Sequence, residues 1–109
     1  MKKYQIYQLD LHNQDVVNER KAFMGWAYII NHSTGFNFQQ YKKVYEGTLP
    51  EMADKEDWQY LEDLFTKFNI NHPDDYQGRS LSTSDVVILD ETIYYCDNYG
   101  WKEVSSTID

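Results

Sequence analysis

The 109 residues suffice for one domain that buries roughly two-thirds of its unfolded surface, and are too few for two that stand alone. Hydrophobic residues at 41% and aromatics at 17% exclude the aromatic-poor composition of a disordered chain. Eighteen acidic side chains against ten basic ones leave a formal charge of −8, which opposes direct binding to nucleic acid, where phosphates must be met by Lys and Arg, and favours a cationic protein surface as partner.

Met1-Lys2-Lys3 leads directly into a mixed polar and apolar run, too short and too polar for a signal peptide or membrane span. A single cysteine, Cys96, excludes an internal disulfide and fits a reducing cytosol, so a cytoplasmic location is expected. The stretch Tyr4 to Leu9 alternates polar and apolar residues and predicts a first strand, with residues 1–3 frayed ahead of it. Phe23, Trp26, Ala27 and Ile30 fall at i, i+3, i+4 and i+7, the stripe of a helix that Asn31 to Gly35 would end. Lys42 to Gly47 reads as a second short strand with poor alternation, suited to an edge.

Asp54 is placed to cap a second helix running to about Phe68, whose buried stripe would be Trp58, Leu61, Leu64, Phe65 and Phe68. Residues 69–78, with Pro73, Gly78 and several Asn and Asp, read as a surface loop. Val86 to Leu89 is a branched apolar run fit for a central strand covered on both faces, and Ile93 to Cys96 is its hairpin partner. A turn at Asp97 to Gly100 precedes a last strand from Trp101 to Val104, and 105–109 form a frayed tail. The expected fold is α+β: a single domain of about five short strands in a mainly antiparallel sheet, with two helices.

Catalytic and metal chemistry find little in this sequence. His12, His32, His72 and Cys96 are scattered without ligand spacing, so no metal and no cofactor is expected. Cys96 with His72 as base is one arrangement that only space could settle; the alternative is that Cys96, inside an apolar strand pattern, packs as a small hydrophobe. The hydroxyl-rich run Arg79 to Asp85 lacks the Gly-Lys-Ser/Thr ending of a phosphate loop, and Asp85 is suited to brace its turn. No catalytic residue emerges.

Carboxylates, by contrast, crowd the segment from Glu46 to Asp63, where Glu51, Asp54, Glu56, Asp57, Glu62 and Asp63 face Lys55 alone. Neighbouring side chains on a helix face lie about 5–6 Å apart, on the order of the phosphate spacing along a nucleic-acid strand, so such a face can act as a decoy for a basic groove. Equally, the same residues can simply solvate an exposed face and favour the helix N-terminus through the macrodipole. Tyr99 and Trp101 beside a turn either anchor an interface or close the core.

The runs Leu61-Glu62-Asp63-Leu64-Phe65, Phe68-Asn69 and His72-Pro73, then Gly78-Arg79-Ser80-Leu81-Ser82-Thr83-Ser84-Asp85-Val86-Val87, followed by Tyr95-Cys96-Asp97 and Gly100, resemble the YodL-like domain family from about Val44 to Val104. Asn98 and Trp101 depart from the Ser and Phe more usual in its closing motif. The resemblance implies a domain of Gram-positive bacteria and their mobile elements, with no active site to carry over. Joined with small size and acidity, it points to an anti-defence inhibitor similar in profile to type II-A anti-CRISPR proteins. In that reading Glu51, Asp54, Glu56, Asp57, Glu62 and Asp63 occupy a basic channel of a Cas9-type effector or its guide-RNA complex, with Tyr99 and Trp101 as further partner-binding residues. The alternative is a host regulatory or scaffolding module that docks through aromatic and apolar groups.

Overall fold

In the computed structural model, which describes residues 1–104, five antiparallel strands form one sheet in the order β2-β1-β3-β4-β5. The strands are β1 (Lys2–Leu9), β2 (Tyr41–Leu49), β3 (Val86–Leu89), β4 (Thr92–Cys96) and β5 (Trp101–Val104). Three α-helices accompany them rather than two: α1 (Gln14–Asn18), α2 (Trp26–His32) and α3 (Asp57–Ile70), with a 3-10 turn at Phe38–Gln40. The expected fraying of 105–109 lies outside the described residues. At the other end Lys2 and Lys3 pair with Leu49 and Thr48, and the Lys3 carbonyl accepts from the Asp90 N–H at 2.7 Å.

The sheet is covered on both faces, and the alternation of the strands decides what each face receives. Tyr4, Ile6, Val87 and Leu89 pack under α3 with Tyr60, Leu61, Leu64 and Phe68. Val86, Ile93 and Tyr95 pack on the opposite face with Ile29, Trp26 and Phe36. Central position and double cover explain why β3 is apolar throughout, as its sequence suggested.

The poor alternation of β2 has a specific cause. Ile6 pairs with Tyr45 but Tyr7 pairs with Lys43, so Val44 is an extra residue, a β-bulge in an edge strand. The bulge lets Val44 and Tyr45 both turn toward the core beneath α3.

Two helix expectations are corrected. The first helix begins at Trp26, leaving Phe23 outside it with φ of 66° and its N–H held by Ser84 Oγ at 2.9 Å. Gly25 fixes that start: a Cβ there would lie 2.5 Å from the Asn98 side chain, and the Trp26 N–H donates to Asp97 Oδ1 at 3.0 Å. The buried residue of α2 is Ile29; Phe23, Ala27 and Ile30 are exposed. For α3 the N-cap is Glu56 rather than Asp54, with Gln59 Oε1 accepting from the Glu56 N–H at 2.7 Å. Tyr60 takes the place in the buried stripe expected of Trp58, and its hydroxyl accepts from the Met52 N–H at 2.8 Å. Short α1 was not foreseen: only Val16 of it is buried, and Asn13 caps it by accepting from the Asp15 and Val16 N–H groups.

Candidate functional site

Around α3 the acidic residues Glu51, Asp54, Glu56, Glu62 and Asp63 are exposed and Asp57 is half-buried, yet most of them hold a partner within the molecule. Glu51 lies 3.5 Å from the N-terminal ammonium, Asp57 lies 3.4 Å from Lys2 Nζ and accepts from the Tyr94 hydroxyl at 2.6 Å, and Asp63 pairs with Lys55. Glu62 accepts from Trp101 Nε1 at 2.9 Å. Asp54 and Glu56 are exposed at the start of the helix.

Helical spacing puts Trp58, Glu62 and Phe65 on one stripe at i, i+4 and i+7. Trp101 of β5 closes onto that stripe through Glu62 and through an edge-on contact with Phe65, ring centroids 6.4 Å apart. The structure thus joins Glu62 and Trp101 into one surface. Trp58, which sequence spacing assigned to the core, is 60% exposed in it. Tyr99 stands apart on the β4–β5 turn, 97% exposed beside Gly100, whose φ of 77° suits glycine.

A second concentration of polar groups lies under the Gly78 to Asp85 run. Asp85, 1% exposed, accepts at Oδ2 from the Ser82 N–H at 2.9 Å and from Gln8 Nε2 at 3.1 Å, so it does brace its turn. Gln8 also clamps the backbone of Arg79, donating to its carbonyl at 2.9 Å and accepting from its N–H at 3.0 Å. Burial pushes the Asp85 carboxyl up to about 7, against the opposing pull of the Ser82 and Gln8 hydrogen bonds and the Arg79 charge. Neither Asp85 Oδ1 nor Arg79 Nη1, both buried, has a hydrogen-bond partner.

Cys96 is tied to the same network through its N–H, which donates to the Asp85 carbonyl at 2.8 Å. Burial first, and the negative charge of Asp85 next, push its thiol up to about 12, so it is held as the neutral thiol rather than the thiolate a nucleophile requires. His72 Nδ1 lies 2.9 Å from the Pro73 carbonyl, and its ring sits 5.6 Å from that of Tyr76. Among the described residues no group of three or more His, Cys, Asp or Glu is placed to hold a metal ion.

The sequence matches the family model of the YodL-like domain over residues 3–106. The chain belongs to that family. The match takes in β1 as well as the region from Val44 onward, and so spans the whole sheet of this YodL-like domain. No curated protein and no solved structure matches the chain. Within the YodL-like domain the quoted motif has a structural basis: a Cβ at Gly78 would lie 2.5 Å from the Tyr76 hydroxyl, which itself bonds the Arg79 carbonyl. No helix is long and apolar enough to cross a membrane among the described residues.

Proposed function

We propose that this YodL-like domain works without bond chemistry, as a protein-binding module that docks the outer surface of α3 and the adjoining β5 onto a cationic protein surface. The observation that carries the reading is Trp58, 60% exposed on a stripe with Glu62. Large aromatics at the centre of an interface supply much of its binding energy, and an indole face beside a carboxylate suits Arg and Lys side chains through cation–π and ionic contacts. Because Glu62 is held by the neutral Trp101 N–H and keeps its charge, the carboxylate on the Trp58 stripe is fixed in place before a partner arrives.

A second reading, the mobile-element inhibitor that blocks a Cas9-type nuclease, is favoured by the charge of −8 and by the exposure of the Asp63 side chain, 59%. Here the carboxylates replace phosphates in a basic channel. Lys55 on Asp63 and Lys2 on Asp57 weaken that array, since each cation cancels charge the channel would otherwise meet. The aromatic-centred surface is for this reason the stronger of the two.

Trp58→Ala should leave folding intact and weaken capture of the partner from a bacterial lysate about tenfold or more, at low and high salt alike. Charge reversal of Glu56 and Asp63 to Lys should weaken capture less, and mainly at low salt. The opposite ranking, with Trp58→Ala without effect and charge reversal abolishing both capture and inhibition of a Cas9-type nuclease, replaces the first reading with the second. A partner retained by both variants rejects the α3 surface altogether.

A further inference from the structure

At the end of the sheet away from this surface's chemistry lies a hollow of about 370 Å³ over the β1–β2 pair, closed on one side by residues 77–79. Its polar lining is Gln8, His12, Lys42, Gln77 and Arg79, and Leu9, Leu11 and Val44 contribute apolar wall. A neighbouring hollow of about 290 Å³ shares Lys42, Val44 and Gly78 with it and adds Lys43. We propose that this hollow is a binding site for a carboxylate or phosphate group carried on an apolar body.

Its volume falls in the range of about 300–1,000 Å³ typical of small-ligand sites, in which apolar side chains bury the ligand and polar groups fix its orientation. The charge is of the right sign in an otherwise acidic chain: three of the ten Lys and Arg residues, Lys42, Lys43 and Arg79, gather here with His12. All three cations already have acidic neighbours: Arg79 has the buried Asp85, and Lys42 and Lys43 have theirs on the surface. Lys42 lies 3.6 Å from Asp10 with its side chain 62% exposed, and Lys43 pairs with the exposed Glu46. Surface pairs of this kind are weak because water screens them, so a ligand oxygen can compete for both ammonium groups.

Arg79 adds the charge of its guanidinium to the lining. Its Nη2 donates to the Leu9 carbonyl at 3.4 Å, its guanidinium stacks 5.3 Å over the Phe23 ring, and its Nη1 has no acceptor in the fold. Gln8 holds the Arg79 backbone through its carbonyl and its N–H, and Val44 at the bulge lines the hollow.

The test is a ¹H–¹⁵N titration of the whole protein with phenyl phosphate, inorganic phosphate and a short peptide of alternating Glu and Leu. Phenyl phosphate or the peptide should shift the amides of Gln8, His12, Lys42 and Gly78 saturably, with a Kd in the millimolar range or tighter. Lys42→Glu, a change at an exposed position, should weaken that binding about tenfold. Saturation by phenyl phosphate alone identifies a free small molecule as the source of the anion, and saturation by the peptide alone identifies acidic side chains of a protein. Inorganic phosphate should bind more weakly than phenyl phosphate, and equal affinity would refute the apolar body. Absence of saturable shifts at those amides, or shifts untouched by Lys42→Glu, overturns the site.

Discussion

Phe68→Ala should cost about 3–5 kcal/mol of stability, as truncation of a large buried aromatic does, and so remove a large part of the roughly 5–15 kcal/mol that holds a domain of this size folded. Phe68 is fully buried, and its ring sits at the centre of an aromatic cluster: Tyr76 at 4.8 Å, Tyr45 at 5.4 Å and Tyr4 at 6.0 Å, each in an edge-on arrangement. Those three partners come from the loop after α3, from β2 and from β1, so one cavity loosens three separate attachments at once. Urea unfolding checks it: the midpoint should fall sharply, whereas a loss below about 1 kcal/mol would mean that the cluster collapses around the gap.

Asp85→Asn should abolish a dependence of stability on pH that the parent protein shows between the ordinary carboxyl range and neutrality. Burial raises the folded carboxyl from 3.8 to about 7, so within that window the native state holds a proton that the unfolded chain has released. Stability is therefore highest below the lower value and falls as pH rises through the upper one, by an amount on the order of 4 kcal/mol at most. Asparagine can keep its carbonyl on the Ser82 and Gln8 donors. Its amide then occupies the position of Oδ1, which has no partner, at a cost of about 1–3 kcal/mol that does not vary with pH. Asp10, Glu19, Glu46 and Asp90, whose carboxyls are lowered by hydrogen bonds, slope the other way in both proteins and cancel in the difference. Parallel urea midpoints for parent and variant from about pH 4 to about pH 7 would contradict the burial account of Asp85.

The sequence was most legible where one physical signal acted alone. Val86 to Leu89 is apolar throughout because a central strand is covered on both faces, and no other strand among the described residues has that pattern. Both helix errors come from residues whose type fits a core but whose placement is fixed by tertiary contacts. Phe23 is held in a left-handed turn by Ser84, distant in sequence, and Gly25 must approach Asn98 closely, so the apparent stripe with Ala27 and Ile30 never forms. Trp58 and Tyr60 are both aromatic and close in sequence, and the choice between them is made by the Met52 backbone reaching the Tyr60 hydroxyl. The weak alternation of β2 was visible, but a bulge can be located only when the register against β1 is known.

At the candidate site, exposure of the carboxylates was legible while their pairing was not. Lys2 and Trp101 approach Asp57 and Glu62 from β1 and β5, contacts that no spacing within the helix announces. The hollow beside Arg79 was hidden for the same reason, because His12, Lys42 and Arg79 meet only after β1 and β2 pair and the loop before Leu81 folds over them.

The three indole N–H resonances report separate places on this fold. Trp58 lies on the outer stripe of α3, Trp101 beside it on β5, and Trp26 on the opposite face of the sheet against Tyr95. Adding the captured partner to the labelled domain should shift or broaden the Trp58 signal most and leave that of Trp26 in place. A Trp58 signal unchanged at saturation would contradict the proposed docking surface.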